Sequence, residues 1–297
     1  MTNWFHTDEA YSLFNGDKEC SIVRVSTEHC LCVAVLYGPF WCRRAIVQGG
    51  VAWNDSVSPD VVNKELVALL EQLKAGCRKK HCVYVELRNF SDYSQFVPVF
   101  EQAGFAYKPH YDIHLPVASC EAMQSAMHES KQRALKKALA EGCTWREATN
   151  ENDVKEFYHL LKTLYHTKVR RPLPSEDFFL RAWHSGMRVL VTTEHSGTVN
   201  GGVLMPVLES TQHGQVVAYE WYICGGIMST WAMMDWGNLH KVGYIDMMGA
   251  GEPDVPYGVR DFKLQMGGQL KQYGRFVWVN RRTTYTTGKF IMKIISR

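Results

Sequence analysis

The stretch YIDMMGAGEPDVPYGVRDFKLQMGG, residues 244–268, decides how this chain is read. Tyr244 to Met248 is an apolar run of strand length. Gly249-Ala250-Gly251 breaks it, Pro253 and Pro256 carry the chain onward, and an amphipathic pattern restarts at about Gly258. A strand that delivers a Gly-rich turn and then a helix is a common way to build a small-molecule site, because the first amides of the helix point outward and its dipole favours an anion. Arg260 and Lys263 lie three apart and share a helix face. Positive charge early in a helix opposes the dipole, so this pair points to an anionic or oxyanion-bearing ligand rather than to helix stability.

Composition supports an ordinary folded enzyme-sized protein. The 297 residues can form one large core or two cores of roughly 150 residues each. Hydrophobic residues make up 46% of the chain, and no apolar run approaches the roughly 18 residues of a membrane span. The N-terminus carries Asp8 and Glu9 and lacks the apolar core of a signal peptide. The nine cysteines form no Cys-x-x-Cys pair, so they read as reduced thiols in a cytoplasmic protein. A net charge of +3 does not by itself argue for nucleic-acid binding.

Strands and helices alternate. Strands are expected at 20–37, 44–52, 82–87 and 105–117, with helices at 59–79, 93–102 and 120–140. In the second half, helices are expected at 151–166, 175–184 and 229–242, and strands at 187–194, 199–208, 215–223 and 244–248. Val62, Leu66, Leu69, Leu70 and Leu73 show the helical spacing most plainly. A weak internal repeat runs through this pattern: a helix leads to a strand, a second helix and a glycine, with 21 residues from Val83 in the strand to Gly104 and 23 from Tyr244 to Gly267. The expectation is a duplicated α/β unit, with domains at 1–147 and 148–297.

Phe262-Lys263 followed by Gly267-Gly268 resembles the Phe-Lys…Gly-Gly signature of the Fem-type (FemABX-like) aminoacyl and peptidyl transferases. Tyr111-Asp112-Ile113-His114-Leu115, then Ser130, Arg133 and Lys136-Lys137-Ala138, resemble that family's linking strand and basic helix. Ile245 to Gly249 resembles the strand before its catalytic turn. The likeness covers most of residues 80–278. It implies two acetyltransferase-like (GNAT-like) domains with mixed sheets flanked by helices, the first recognising the acceptor and the second catalytic. The long coiled-coil arm of some members is missing. It also implies aminoacyl-tRNA as donor, a peptidoglycan-precursor stem peptide or another amine as acceptor, and no cofactor or metal.

The resemblance gives Lys263 the role of stabilising the oxyanion formed when an amine attacks an aminoacyl ester. Asp246, between Ile245 and Met247, is a carboxylate on an apolar strand, which needs a partner or a task. It can accept the proton of the incoming amine, orient Lys263, or bind turn amides. Glu220 and Tyr222 alternate around Trp221 and are expected to line the same cleft, with Glu220 a second candidate base. The expected substrate-binding set is Arg43, Arg44, Arg170, Arg171, Tyr222, Tyr257, Arg260 and Phe262, with Phe262 packing rather than reacting. Arg170 and Arg171 stand in an Arg-Arg-Pro-Leu-Pro loop. Arg43 and Arg44 precede the turn Gln48-Gly49-Gly50, where Gln48 replaces the basic residue common in the family. Arg133, Lys136 and Lys137, like Lys168, Arg170 and Arg171, could hold phosphates of a nucleotide-linked precursor or of tRNA, with a solvated helix face the favoured reading for Lys136 and Lys137.

His110 and His114 share one side of a strand without a third metal ligand. Two other readings stand beside aminoacyl transfer. One is a coenzyme A-dependent N-acyltransferase of the same fold, against which stands the lack of an Arg/Gln-x-x-Gly-x-Gly/Ala turn. The other is a non-catalytic binder. Pro39-Phe40-Trp41 could give peripheral contact with a membrane, although burial is the usual fate of such a cluster.

Overall fold

The computed structural model describes residues 3–209 and 214–295, with side chains to 288. The chain first builds β1 (Cys20–Ser26), β2 (Cys30–Tyr37), β3 (Arg43–Gln48) and β4 (Ala52–Trp53), after a short helix α1 (Asp8–Asn15). The long α2 (Pro59–Lys79) crosses back to β5 (Cys82–Arg88), which runs parallel to β3. Pro59 opens α2 without losing a hydrogen bond, since the first helical N–H has no intrahelical acceptor. Val62, Leu66, Leu69, Leu70 and Leu73 lie buried against the sheet, as their spacing requires. Then follow α3 (Val97–Gln102) and β6 (Ala106–Lys108).

The next strand, β7 (Tyr111–Pro116), belongs to a different sheet. The expected single strand 105–117 is thus two strands separated at Pro109-His110, where proline removes a donor from the ladder. The expected basic helix 120–140 is also two, α4 (Cys120–Ala126) and α5 (Glu129–Ala140). His128 ends one and caps the other: its ring Nδ1 accepts from the Ser130 N–H at 3.3 Å. After β8 (Thr144–Glu147) come α6 (Glu151–Leu164), one π-helical turn Tyr165–Val169, and α7 (Glu176–His184).

Then come β9 (Arg188–Thr193), β10 (Val199–Met205), β11 (Val207–Leu208), β12 (Val217–Tyr219) and β13 (Tyr222–Cys224). A Gly225-Gly226 turn opens α8 (Ile227–Leu239), which leads to β14 (Tyr244–Gly249). Nine of the thirteen residues of α8 are buried, which is why it is apolar on every side. Last are α9 (Gly258–Gln265), β15 (Gln269–Gln272), β16 (Arg275–Val279) and α10 (Arg282–Ile295).

Two compact units result: Met1–His110 with Gln272–Arg297, and Tyr111–Lys271. The division differs from the expected 147/148, and strand exchange is the reason. The first unit's sheet has the order β1-β2-β3-β5-β16-β6, and the second's five-stranded sheet β11-β12-β14-β7-β15. In each, a parallel pair (β3 with β5, β12 with β14) is flanked by an antiparallel strand from a distant part of the chain: β16 beside β5, and β7 beside β14. The repeated helix–strand–helix seen in the sequence corresponds to α2-β5-α3 and α8-β14-α9. A second sheet, β13-β10-β9-β8, completes the second unit. No described helix is long and apolar enough to cross a membrane, and all nine cysteines are free thiols.

The turn after α9 leaves no room for a side chain. Gly267 has φ +94°, and a Cβ on Gly268 would stand 2.4 Å from Ile113 Cγ2 and 2.8 Å from the Lys263 carbonyl. Gly268→Ala should therefore lower stability by about 1–3 kcal/mol, measured by urea denaturation.

Candidate active site

The site forms where two paired strands part. Val217, Ala218 and Tyr219 of β12 run parallel to Tyr244, Ile245 and Asp246 of β14. One more rung follows, from the Glu220 N–H to the Asp246 carbonyl at 2.9 Å. Beyond it Tyr222–Cys224 pair with β10, in the other sheet. Past the parting, the Met247 carbonyl accepts a hydrogen bond from the Lys263 ammonium. A buried carbonyl needs such a donor, and the last turn of α9 provides it. The same ammonium lies 3.1 Å from Glu220 Oε1. Lys263 and Glu220 are each only 6% exposed, so the charge pair stands out of bulk water.

Asp246 is fully buried. Its Oδ1 accepts from the Met248 N–H at 2.7 Å, and Met248 takes the left-handed conformation at φ +59°, which costs a non-glycine residue about 1–3 kcal/mol. Its Oδ2 faces His114 Nε2 at 3.8 Å and, like Glu220 Oε2, has no hydrogen-bond partner among the described residues. Burial holds the Asp246 carboxyl well above the usual aspartate range, and the neighbouring Asp112 carboxylate pushes the same way. Burial also raises Glu220, against the pull of Lys263. His114, opposite Asp246 in the ladder and stacked on Tyr244 at 4.4 Å, is lowered to about 4 by burial and then by Lys271. The Lys263–Glu220 ion pair thus stands beside two groups whose neutral forms burial favours, the Asp246 carboxyl and the His114 ring.

The other expected residues lie as follows. Arg260 gives both guanidinium ends to the loop before the helix, to the Glu252 carbonyl at 2.8 Å and the Val255 carbonyl at 2.7 Å, and its cation stands over the Tyr111 ring at 5.5 Å. The helix is only eight residues long, so Lys263 falls in its last turn, where the dipole favours a cation. The early-helix charge therefore has internal partners. Tyr257 caps the helix and packs on Gly251, whose Cβ would meet the Tyr257 ring at 3.0 Å. Phe262 packs under Lys131, 4.7 Å from its ring centre.

Tyr222 lies among aromatics, 5.2 Å from Phe179 and 6.3 Å from Tyr165 between ring centres. Arg170 and Arg171 are exposed beyond the π-helical turn, Arg170 with φ +51°. Arg43 and Arg44 belong to the first unit, and Arg44 stands over the Tyr37 ring at 5.8 Å. The nearby Gly49-Gly50 turn is held internally: Asn3 Nδ2 and the Tyr93 hydroxyl both donate to the Gly49 carbonyl at 3.2 Å, and His6 Nε2 lies 2.9 Å from the Gly50 carbonyl. Asp112, buried beside Asp246, was readable only as a carboxylate in an apolar strand, the same signal that marks Asp246. Among the described residues one group has metal-ligating atoms close together, Glu28, His29 and Glu65, but Glu65 already accepts from the His29 N–H at 2.9 Å and from Thr27.

No family profile and no curated protein matches the chain in sequence. Solved structures do match in three dimensions. FemX superposes with a TM-score of 0.67 at 11% identity, covering 96% of this chain and 94% of its own. L-PGS from Bacillus licheniformis gives 0.60 at 13% identity, covering 98% of both chains. The C-terminal domain of a putative lysylphosphatidylglycerol synthetase from Agrobacterium fabrum gives 0.61 at 10%, covering 95% of this chain and 91% of its own. The chain has the fold of FemX. The α/β architecture of mixed sheets flanked by helices expected from the resemblance is thereby borne out over nearly the whole length.

Two measurements test the site's electrostatics. Lys263→Met leaves Glu220 buried without its cation, so the urea midpoint should fall by the equivalent of about 3 kcal/mol. Adding Glu220→Gln should recover more than half of that loss, and an additive second loss would exclude the pairing. For Asp246, a carboxyl raised in the folded state contributes stability that is complete below its unfolded value, 3.8, and is lost as pH rises from there through the folded value. Asp246→Asn should remove this fall, so that the melting-temperature difference between variant and parent grows in the variant's favour as pH rises.

Proposed function

We propose that the protein is an acyltransferase that moves an aminoacyl group from aminoacyl-tRNA to a primary amine, on a peptidoglycan-precursor stem peptide or a similar acceptor. The observation that carries this reading is the buried Lys263–Glu220 pair at the parting of β12 and β14. The fold of FemX, over nearly the full length of both chains, supports it. An ammonium held away from bulk water exerts a stronger field on a developing oxyanion than one in solvent, and its position is set before the reaction begins. The amine nitrogen attacks the ester carbonyl, forming the C–N bond and placing negative charge on the carbonyl oxygen, which Lys263 stabilises. Collapse breaks the ester C–O bond and releases the ribose oxygen, which takes up a proton. Glu220, relieved of part of its pairing as Lys263 turns to the oxyanion, accepts the proton that the amine loses. Asp246, whose neutral form burial favours, accepts from the Met248 N–H and holds that residue in place beside the Lys263–Glu220 pair.

In this reading the second unit is catalytic and binds the donor through Arg170, Arg171, Tyr222 and Tyr257, with Phe262 and Arg260 shaping the helix and loop beside it. The first unit, with Arg43 and Arg44, recognises the acceptor. The reaction belongs in the cytoplasm, where aminoacyl-tRNA is made. A coenzyme A donor is the second reading, favoured by one feature: α8 begins after Gly225 and Gly226, both at positive φ, with no side chain capping its first amides, an arrangement suited to a phosphate.

A transfer assay separates the two. Purified protein is given radiolabelled aminoacyl-tRNA or acetyl-coenzyme A with a mixture of peptide amines. Label should move from tRNA, and Lys263→Ala should slow transfer about 10²–10³-fold. Movement only from coenzyme A would replace the donor, and an undiminished Lys263→Ala rate would remove Lys263 from the chemistry.

A further inference from the structure

The first unit carries an exposed aromatic tip set in a field of positive charge. The turn between β2 and β3, Gly38-Pro39-Phe40-Trp41, is exposed throughout, with Phe40 at 66% and Trp41 at 60%. The burial usual for such a cluster does not occur. Three segments converge there. The Arg43 N–H donates to the His81 carbonyl at 3.3 Å. Arg281 donates to the Trp41 carbonyl at 2.9 Å and lies 3.2 Å from His81 Nδ1. The Phe40 ring meets the His81 ring edge-on at 6.1 Å.

These segments, residues 38–44, 78–82 and 280–284, contain Arg43, Arg44, Arg78, Lys79, Lys80, Arg281 and Arg282 and not one Asp or Glu. The Cys82 thiol is lowered first by its hydrogen bond with Cys77 and then by Arg43, Lys80 and Arg281, all of which lie near enough to act on it. His81 holds the junction in the left-handed conformation at φ +59°, and the Arg281 bonds to the Trp41 carbonyl fix the turn in its projecting position.

We propose that this face docks on an anionic lipid surface. Large aromatics at the tip of a rigid turn settle among lipid headgroups, where the ring is apolar and the indole N–H finds acceptors. The surrounding cations are drawn to the negative surface, each contributing about 1 kcal/mol when close to it. A folded nucleic acid would use the same cations but has little use for two projecting rings on one tip, so the aromatic pair favours the lipid. The inference is independent of the aminoacyl-transfer reading. It would bring the first unit to acceptors embedded in a membrane, and binding is measured without any transfer.

The test is co-sedimentation of the whole chain with vesicles of phosphatidylcholine alone, and of about three parts phosphatidylcholine to one of phosphatidylglycerol. The protein should pellet with the anionic vesicles and not the neutral ones, and raised salt should release it. Phe40→Ser with Trp41→Ser, and separately Lys79→Glu with Lys80→Glu, should each reduce the partition coefficient about tenfold or more, with circular dichroism and melting temperature unchanged. Equal binding to both vesicles, binding to neither, or unaltered binding by the double variants would overturn the proposal. So would retention of bulk tRNA that the lysine variants abolish while vesicles stay unbound, which would assign the face to nucleic acid.

Discussion

The ammonium of Lys263 sits where strand pairing fails. As β12 and β14 diverge after the Glu220–Asp246 rung, carboxyl groups and a main-chain carbonyl are left in a space with almost no water. Unpaired, they would cost several kcal/mol. One side chain from the end of α9 answers two of them, Glu220 Oε1 and the Met247 carbonyl. That requirement sets the distance from strand to helix, the tightness of the Gly267-Gly268 turn behind the lysine, and the length of α9. Asp246, buried beside Asp112, is left with its neutral form favoured.

The loop from Gly249 to Tyr257 is held from the helix side. Arg260 gathers the carbonyls of Glu252 and Val255, and the Tyr257 ring covers Gly251. Arg260 and Lys263 thus do parallel work on the two sides of one turn, each supplying donors to backbone oxygens that no strand reaches. The difference is solvent. Arg260 acts at a partly exposed loop, whereas Lys263 acts in the interior, and only the latter has a field strong enough to influence chemistry.

Much of this arrangement is legible in the residues. The spacing of Val62, Leu66, Leu69 and Leu73 makes α2 plain, and the apolar Tyr244–Met248 run with a carboxylate inside it marks both a buried strand and a candidate site. Glu220 could be placed with Asp246 because carboxylates beside apolar neighbours on adjacent strands converge at strand ends. The change of sheets at Glu220-Trp221 was not legible, since alternation of side chains does not record which neighbour a strand chooses. The break at Pro109-His110 was hidden in the same way: polar and apolar residues continue to alternate from 105 to 117 although the two pieces join different sheets. Asp112 went unread because its strand drew notice only as a whole.

The exchanged strands also bear on how the protein is made. β16 lies between β5 and β6 in the first unit's sheet, yet it is made long after both of them. Until residues 275–279 emerge, β5 and β6 have an open edge between them, and the whole of 109–274 must be made before it closes. The second unit, continuous from Tyr111 to Lys271, has all its strands available earlier. The unit that is continuous in sequence is therefore able to complete its core first, while the unit begun before it waits on β16.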